Sequence, residues 1–328
     1  MPTPHVIAGA RTPDVQRWFE TRTYRAETMP RPPAERRERV AVVIPARNEA
    51  RTIGAICTVI AERLIPSLVD DLVVVDCDST DRTAQIAAAA GATVVSARRV
   101  LPEVPWQLGK GEAMWRGLAT VDADIVCFVD GDIKNFDERF VERLVTPLLA
   151  DSTLAFTKGF YRRPLKTGTV TAPADGGRVT ELTARPLLNL LYPELAGFLQ
   201  PLAGEYAART SAISAIPFLT GYGVDVAMLI DLLGTVGLEA MAQVDLDERV
   251  HRNRPLRELR AMATVVAEAV IRRAERDRRL SLETETDRPL LFPGPGTSLE
   301  MTLLPQEERP PINRVLGNSP KAAMRGRR

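Results

Sequence analysis

From Val40 onward the chain alternates between short unbroken apolar runs and stretches whose apolar residues recur every three or four positions. The β-branched run "VAVVIPA", residues 40–46, predicts a strand. The polar turn "RNEA" then leads into "TIGAICTVIAERL", whose spacing predicts a helix. "LVVVD", ending at Asp76, predicts a second strand, and "STDRTAQIAAAA" puts good capping residues ahead of an Ala-rich helix. "ATVVS" after Gly91, the helical "KGEAMWRGLATV" and "DIVCFVD" add a third strand, a helix and a fourth strand. These strands are continuously apolar, as burial on both faces demands, so the pattern predicts an α/β, Rossmann-like parallel sheet flanked by helices. In such sheets ligands bind beyond the carboxyl ends of the strands. Three of those ends ("PARNEA", "DCDSTD" and "DGD") are polar here and are expected to converge on one cleft.

Beyond residue 150 the pattern is mixed. "LAFTKGFYRRP" reads as another strand, and the Gly-rich "ADGGRVTE" leads into a helix over 179–191. "GYGVDVAMLIDLLGTVG" is a helix entered through glycines, "AMAQVDLDERVHRNRP" a strand running into a basic loop, and 256–279 a long Arg/Glu-laced amphipathic helix. The organisation expected is a Pro/Arg-rich, partly ordered arm (1–38), a Rossmann-like half (39–150) and a second half of the same domain (151–280). The Pro-rich tail (281–328) is expected to be mostly irregular and available to wrap a partner subunit.

Composition narrows the function classes. At 45% hydrophobic and 26% charged residues the 328-residue chain is an ordinary globular protein. A net charge of +1 gives no basic field for nucleic acid or a membrane surface. No apolar run approaches the ~18 residues of a membrane span, and the opening residues lack the pattern of a signal peptide. The three cysteines, Cys57, Cys77 and Cys127, lie far apart in apolar stretches and read as reduced, buried thiols of a cytoplasmic protein.

The candidate chemistry starts at Asp130-Gly131-Asp132. Two carboxylates roughly 6 Å apart repel by about 3 kcal/mol at an effective dielectric of 20, a cost that a divalent cation turns into attraction. Oxygen-only ligands favour Mg2+ or Mn2+ bound through substrate phosphates, and Gly131 leaves room for a ligand at the backbone. D-G-D is also plain turn chemistry; its place after a buried strand, beside two other polar strand ends, favours the metal. Asp76 is placed to accept from a ribose or base edge, whereas Ser79, Thr80 and Asp81 also suit local capping. Pro45, Ala46, Arg47 and Glu49 end the first strand where a nucleoside would be gripped. Lys110, between two glycines, reads as a mobile cation for a phosphate, but the full spacing of an ATP-binding P-loop is absent. Gly177 precedes a helix start that favours an anion, with Arg178 a bidentate donor and Thr180 a hydroxyl; a simple cap accounts for the same residues equally well. His251, one of two histidines, follows a strand end and is placed to complete the coordination of a cation held by Asp132.

Together, "VVIPARNEARTI", "VVDCDSTDRT", "LPEVPWQLGKGEAMWRGL", "FVDGDI", "GGRVTELTARPLL", "GYGVDVAMLID" and "AQVDLDERVHRNRPL" resemble the actinobacterial-type glucosyl-3-phosphoglycerate and mannosyl-3-phosphoglycerate synthases. Those are retaining glycosyltransferases with the GT-A fold, and the likeness runs from about Val40 to Arg260. The resemblance implies a homodimeric hexosyltransferase. It would move glucose or mannose from UDP-glucose or GDP-mannose to the 2-hydroxyl of 3-phospho-D-glycerate, making a precursor of compatible solutes or polysaccharide. It also implies site roles. Pro45, Ala46, Arg47, Glu49, Asp76 and Lys110 line the nucleoside side, and Asp130, Gly131 and Asp132 form the DxD motif. Asp132 and His251 bind Mg2+ or Mn2+, while Gly177, Arg178, Thr180 and Asn253 hold the acceptor. Asp225 stands where the family's "GYGVE" has a glutamate on the sugar hydroxyls, and Asp132, Asp225 and Lys110 form the catalytic set. "DCDS" for the usual "DSGS", "DGD" for "DSD" and Asp225 for Glu all fall on the donor side, which tilts the reading toward the mannosyl member with relaxed donor choice. No well-placed carboxylate nucleophile stands out near "PLAGEY", so same-face attack is expected, with Glu205 the alternative for a covalent step. Three rival readings remain: a polyprenyl-phosphate or polysaccharide transferase of the same fold, a sugar nucleotidyltransferase, and a non-catalytic sugar-nucleotide sensor.

Overall fold

A computed structural model describes residues 12–33, 35–162, 165–167, 170–172, 177–249, 256–281, 290–293, 299–302 and 307–316. Helix α1 (Thr12–Arg22) and strand β1 (Thr23–Tyr24) precede the alternation read from the sequence. That alternation is β2 (Val40–Ala46), α2 (Ile53–Arg63), β3 (Asp71–Asp76), α3 (Thr83–Ala89), β4 (Thr93–Ser96), α4 (Lys110–Leu118), β5 (Ile125–Phe128) and α5 (Arg139–Ala150). In the second half, β6 (Phe156–Arg162) is followed by a hairpin of β7 (Leu165–Thr167) and β8 (Val170–Ala172). A π-helical turn at Thr180–Ala184 then runs into α6 (Arg185–Leu191). Next come β9 (Tyr206–Arg209), α7 (Thr210–Ile213), β10 (Phe218–Leu219), α8 (Val224–Val236), β11 (Met241–Glu248) and α9 (Leu256–Arg276). A hairpin of β12 (Leu290–Pro293) and β13 (Leu299–Thr302), then β14 (Glu308–Arg309) and α10 (Ile312–Leu316), complete the described chain.

Eight strands form one sheet in the order β1-β11-β6-β9-β5-β2-β3-β4. Every neighbouring pair is parallel except those made by β9, which runs antiparallel between β5 and β6. Residues 40–44 of β2 are fully buried, and alternate side chains go to opposite faces. Ala41 and Val43 join one apolar cluster with Val73, Val75 and Trp115, whereas Val40, Val42 and Ile44 join a second with Ile53, Ile56 and Leu144. The continuous apolar runs therefore reflect helices on both sides. α4 approaches the sheet closely at Gly117, where a Cβ would stand 2.6 Å from Val43 Cγ1.

Register places the functional loops. Ala46 is opposite Asp76 on β3, and Val43 is opposite Phe128 on β5, so three polar strand ends emerge side by side at one edge. Two terminal segments pack onto the rest of the chain. The first is the arm: β1 adds to the sheet beside β11, and Trp18 is wholly buried, its Nε1 donating to Met241 O at 2.8 Å. The second is the tail, whose described part packs on its own chain: β14 pairs antiparallel with β10 and Ile312 is buried. Among the described residues, no helix is long and apolar enough to cross a membrane.

Candidate active site

The converging strand ends open into a cavity of about 620 Å³, within the range of small-molecule sites. Pro45, Ala46, Arg47 and Glu49 line it from the end of β2, Asp130, Gly131 and Asp132 from beyond β5, and Lys110 from the start of α4. Gly177, Arg178 and Thr180 line it as well, and Asp225 lines it from the start of α8, beside Lys110. The structure thus brings together almost every candidate that falls within its described residues. His251 and Asn253 lie outside them. Asp76 ends β3 next to Cys77, which lines the space. The Asp76 carboxylate accepts from Ser79 N–H at 3.3 Å through one oxygen, and its other oxygen is buried without a described partner.

The loop after β2 is shaped by its partner loop. Asn48 adopts a positive φ of 59°, and its side-chain oxygen accepts from Thr80 N–H at 2.8 Å. Glu49 N–H donates to Thr83 Oγ1 at 2.8 Å, and Ala50 N–H donates to Asp81 at 3.2 Å. Asp81 also accepts from Thr83 N–H at 3.0 Å, which makes it the local cap expected. These bonds turn the Glu49 side chain toward Asp130-Gly131-Asp132, where Gly131 O accepts from Thr52 Oγ1 at 2.6 Å. Burial, reinforced by Asp132 and Asp130, pushes the Glu49 carboxyl up to about 7.

The electrostatic centre is a chain of alternating charges. Lys110 Nζ lies 2.8 Å from Asp130 Oδ1 and 3.2 Å from Asp225 Oδ2. Far from the mobile cation expected, it is clamped. Burial alone would lower its pKa, but Asp130 and Asp225 outweigh it and hold the ammonium charged. On the other side of Asp130, Arg249 Nη2 donates to Asp130 Oδ2 at 3.0 Å and to Asp132 Oδ1 at 2.5 Å. Its Nη1 lies 2.7 Å from Glu205 Oε1 and donates to Tyr161 Oη at 2.9 Å. Asp130 is also buried, yet these two cations keep its carboxyl below the usual range. Beneath the chain, Lys158 Nζ is buried against Ala203 O at 2.8 Å. Burial there drives its pKa down to about 8, only partly offset by Asp225.

Arg249 is the functional residue that motif reading missed. Its signal was present in "DERVHRNRP", where the basic run begins two residues before His251. Tyr222, Leu202, and Leu259 and Met262 of α9 also line the cavity, and none stands out in a sequence because apolar residues at helical or loop positions are common. Glu205 is 0% exposed and sealed against Arg249, so it does not present itself as a nucleophile.

A mostly parallel α/β sheet whose strand ends gather an acidic pair, a clamped lysine and a basic pocket defines a glycosyltransferase of the GT-A type. Residues 41–197 match the model of the glycosyl transferase family 2. A glucosyl-3-phosphoglycerate synthase of Mycolicibacterium smegmatis is 49% identical over 234 residues, covering 71% of this chain and 77% of that one. The crystal structure of mannosyl-3-phosphoglycerate synthase from Rubrobacter xylanophilus superposes with a TM-score of 0.83 at 41% identity, over 92% of this chain and 100% of that chain. Glucosyl-3-phosphoglycerate synthase from Mycobacterium tuberculosis, solved with Mn2+, UDP-glucose and phosphoglyceric acid, superposes with a TM-score of 0.73 at 42% identity, over 85% and 91% of the two chains. The chain belongs to the glucosyl-3-phosphoglycerate synthase family.

Proposed function

We propose that this enzyme transfers a hexose, glucose or mannose, from a nucleotide diphosphate sugar to the 2-hydroxyl of 3-phosphoglycerate with retention of configuration. The observation that carries the reading is the placement of two chemically different walls on one cavity. The acidic pair, Glu49 and the clamped Lys110 line the same cavity as Arg178, Thr180 and the helix start at Gly177. The first wall suits a sugar diphosphate, and the second suits a small acid bearing phosphate and carboxylate.

The residues fit a divalent cation. Asp130 and Asp132 are oxygen donors already sharing one positive group, and the Asp132 side chain keeps 48% of its surface exposed toward the cavity side. Asp132, with His251, would hold Mg2+ or Mn2+, the ion supplying positive charge against the departing diphosphate. Lys110, held charged, places a second cation beside the same leaving group. Asp225, with one oxygen on Lys110 and the other buried without a described partner, is the acceptor offered to sugar hydroxyls. The C1–O bond to the diphosphate breaks as a C1–O bond to the acceptor's 2-hydroxyl forms. That hydroxyl's proton passes to the leaving phosphate oxygen on the same face. The sealed position of Glu205 favours this course over a covalent one. We further propose that the protein acts in the cytoplasm as a homodimer, a reading supported by the exposed Leu182 and Leu190, at 72% and 78%, on the segment leading into and through α6.

Two variants test the assignment. Asp132→Ala should lower kcat by about a hundredfold or more while the fold survives. Arg178→Ala should raise the 3-phosphoglycerate KM by about tenfold with the donor KM little changed. A donor KM that rises instead in Arg178→Ala would misplace the acceptor wall.

A further inference from the structure

The donor wall is built from two loops, and both are tied from behind by the C-terminal segment. Leu108, Gly109 and Lys110 form one loop, and Gly221, Tyr222 and Asp225 belong to the other. The loops touch backbone to backbone: Glu112 N–H donates to Thr220 O at 3.1 Å, and a Cβ on Gly109 would stand 2.1 Å from that same carbonyl oxygen. Behind them, Arg309 on β14 is buried with its Nε on Glu112 Oε2 at 2.7 Å and its Nη2 on Pro105 O at 2.6 Å. Glu307 joins both loops at once. Its carbonyl accepts from Thr220 N–H at 3.0 Å, and its Oε1 accepts from Gln107 Nε2 at 2.8 Å. Trp115 of α4 donates to Pro310 O at 2.9 Å, which anchors the far end.

We propose that residues 307–310 form a clasp that sets the donor site, with Arg309 a positioning residue that acts on Lys110 through Glu112 and on Asp225 through the β10–β14 pairing. No atom of Arg309 belongs to the cavity lining; its guanidinium instead forks between the carboxylate two residues after Lys110 and the carbonyl that starts the Lys110 loop. A fork of this kind needs a planar, multi-donor cation, and a lysine ammonium cannot reproduce both arms. The clasp rests on the hexosyl-transfer reading for its kinetic consequence, but not for its structural one.

The test uses the full chain and the variants Arg309→Met and Arg309→Lys, read by hydrogen exchange without ligand and by initial rates with UDP-glucose, Mn2+ and 3-phosphoglycerate. Exchange of residues 105–111 and 219–223 should quicken by about tenfold in Arg309→Met. The donor KM should rise about tenfold with the acceptor KM within about twofold, and Arg309→Lys should fall between parent and Arg309→Met. If Arg309→Met fails to fold, Arg309→Lys carries the same readouts with about a threefold donor effect. Unchanged exchange and donor KM in a folded variant would overturn the clasp. An equal rise in both KM values would reduce it to general bracing and overturn the positioning role. A parent enzyme that transfers nothing from UDP-glucose, GDP-glucose, UDP-mannose or GDP-mannose, with exchange still quickened in the variants, would overturn the functional reading and leave the clasp standing.

Discussion

Arg249 places one guanidinium on Asp130, Asp132 and Glu205, and is itself 6% exposed. A buried ion pair of this kind adds little net stability, but removing one partner leaves an uncompensated charge. Arg249→Met should therefore lose about 3–5 kcal/mol in urea denaturation, and adding Glu205→Gln should return part of it. A loss below about 1 kcal/mol would contradict the buried-charge account. Lys158 gives the pH dependence. Its pKa falls to about 8 on folding, so above that value the folded protein releases a proton that the unfolded chain keeps until near its ordinary value of 10.5. The burial cost is paid in full below pH 8, and stability is regained as pH rises from 8 toward 10.5. Lys158→Met should erase that slope, worth at most about 3 kcal/mol, in chemical melts at pH 7.5 and 10. The acids, Lys110 and Arg178 were legible in the sequence because each ends a strand or opens a helix, where side chains meet solvent and ligand. Arg249 was not, because what matters is which carboxylates it reaches, and Glu205 and Asp130 come from distant parts of the chain.

At the scale of elements, the strand ends do the positioning and the glycines permit it. Gly111, in the first turn of α4, lies where a Cβ would be 1.8 Å from Leu219 O. Gly111→Ala must push α4 and its Lys110 away from β10. Transfer should fall by more than about tenfold, with a clear loss of melting temperature. Gly234, inside α8 with open space around it, is the control. Gly234→Ala should stabilise by about 0.5–1 kcal/mol and leave transfer untouched. Parallel strands were readable as apolar runs, and their helices from capping and spacing. β9 was not: "YAAR" is four residues after a glycine, too short to carry a period, and its antiparallel course is set by β5 and β6 on either side. Lys110 was legible as a cation but not as a clamped one, because Asp225 reaches it from α8, 115 residues away.

Across the whole molecule, the two ends of the chain close the domain that its middle builds. α1 and β1 extend the sheet at its second-half edge, and Trp18 packs on Phe198 with ring centroids 4.6 Å apart. Trp18→Ala should cost about 3–5 kcal/mol by thermal or urea melts, as for a buried aromatic rather than an arm residue. Neither terminal contact announces itself in sequence, because Pro/Arg-rich composition hides single buried anchors such as Trp18 and Arg309. The sheet then gathers the acidic pair, Lys110, Arg178 and Thr180 on a single cavity, and the claim on which the function rests is that this cavity takes both the sugar donor and the phosphorylated acid. It is tested most directly by incubating the enzyme and Mn2+ with 3-phosphoglycerate and, in turn, UDP-glucose, GDP-glucose, UDP-mannose and GDP-mannose, then analysing products by mass and anomeric NMR. The account predicts a hexosyl-phosphoglycerate linked through the 2-hydroxyl in the α configuration from at least one donor, and none from Asp132→Ala. Donor hydrolysis to free hexose, or a β-linked product, would contradict it.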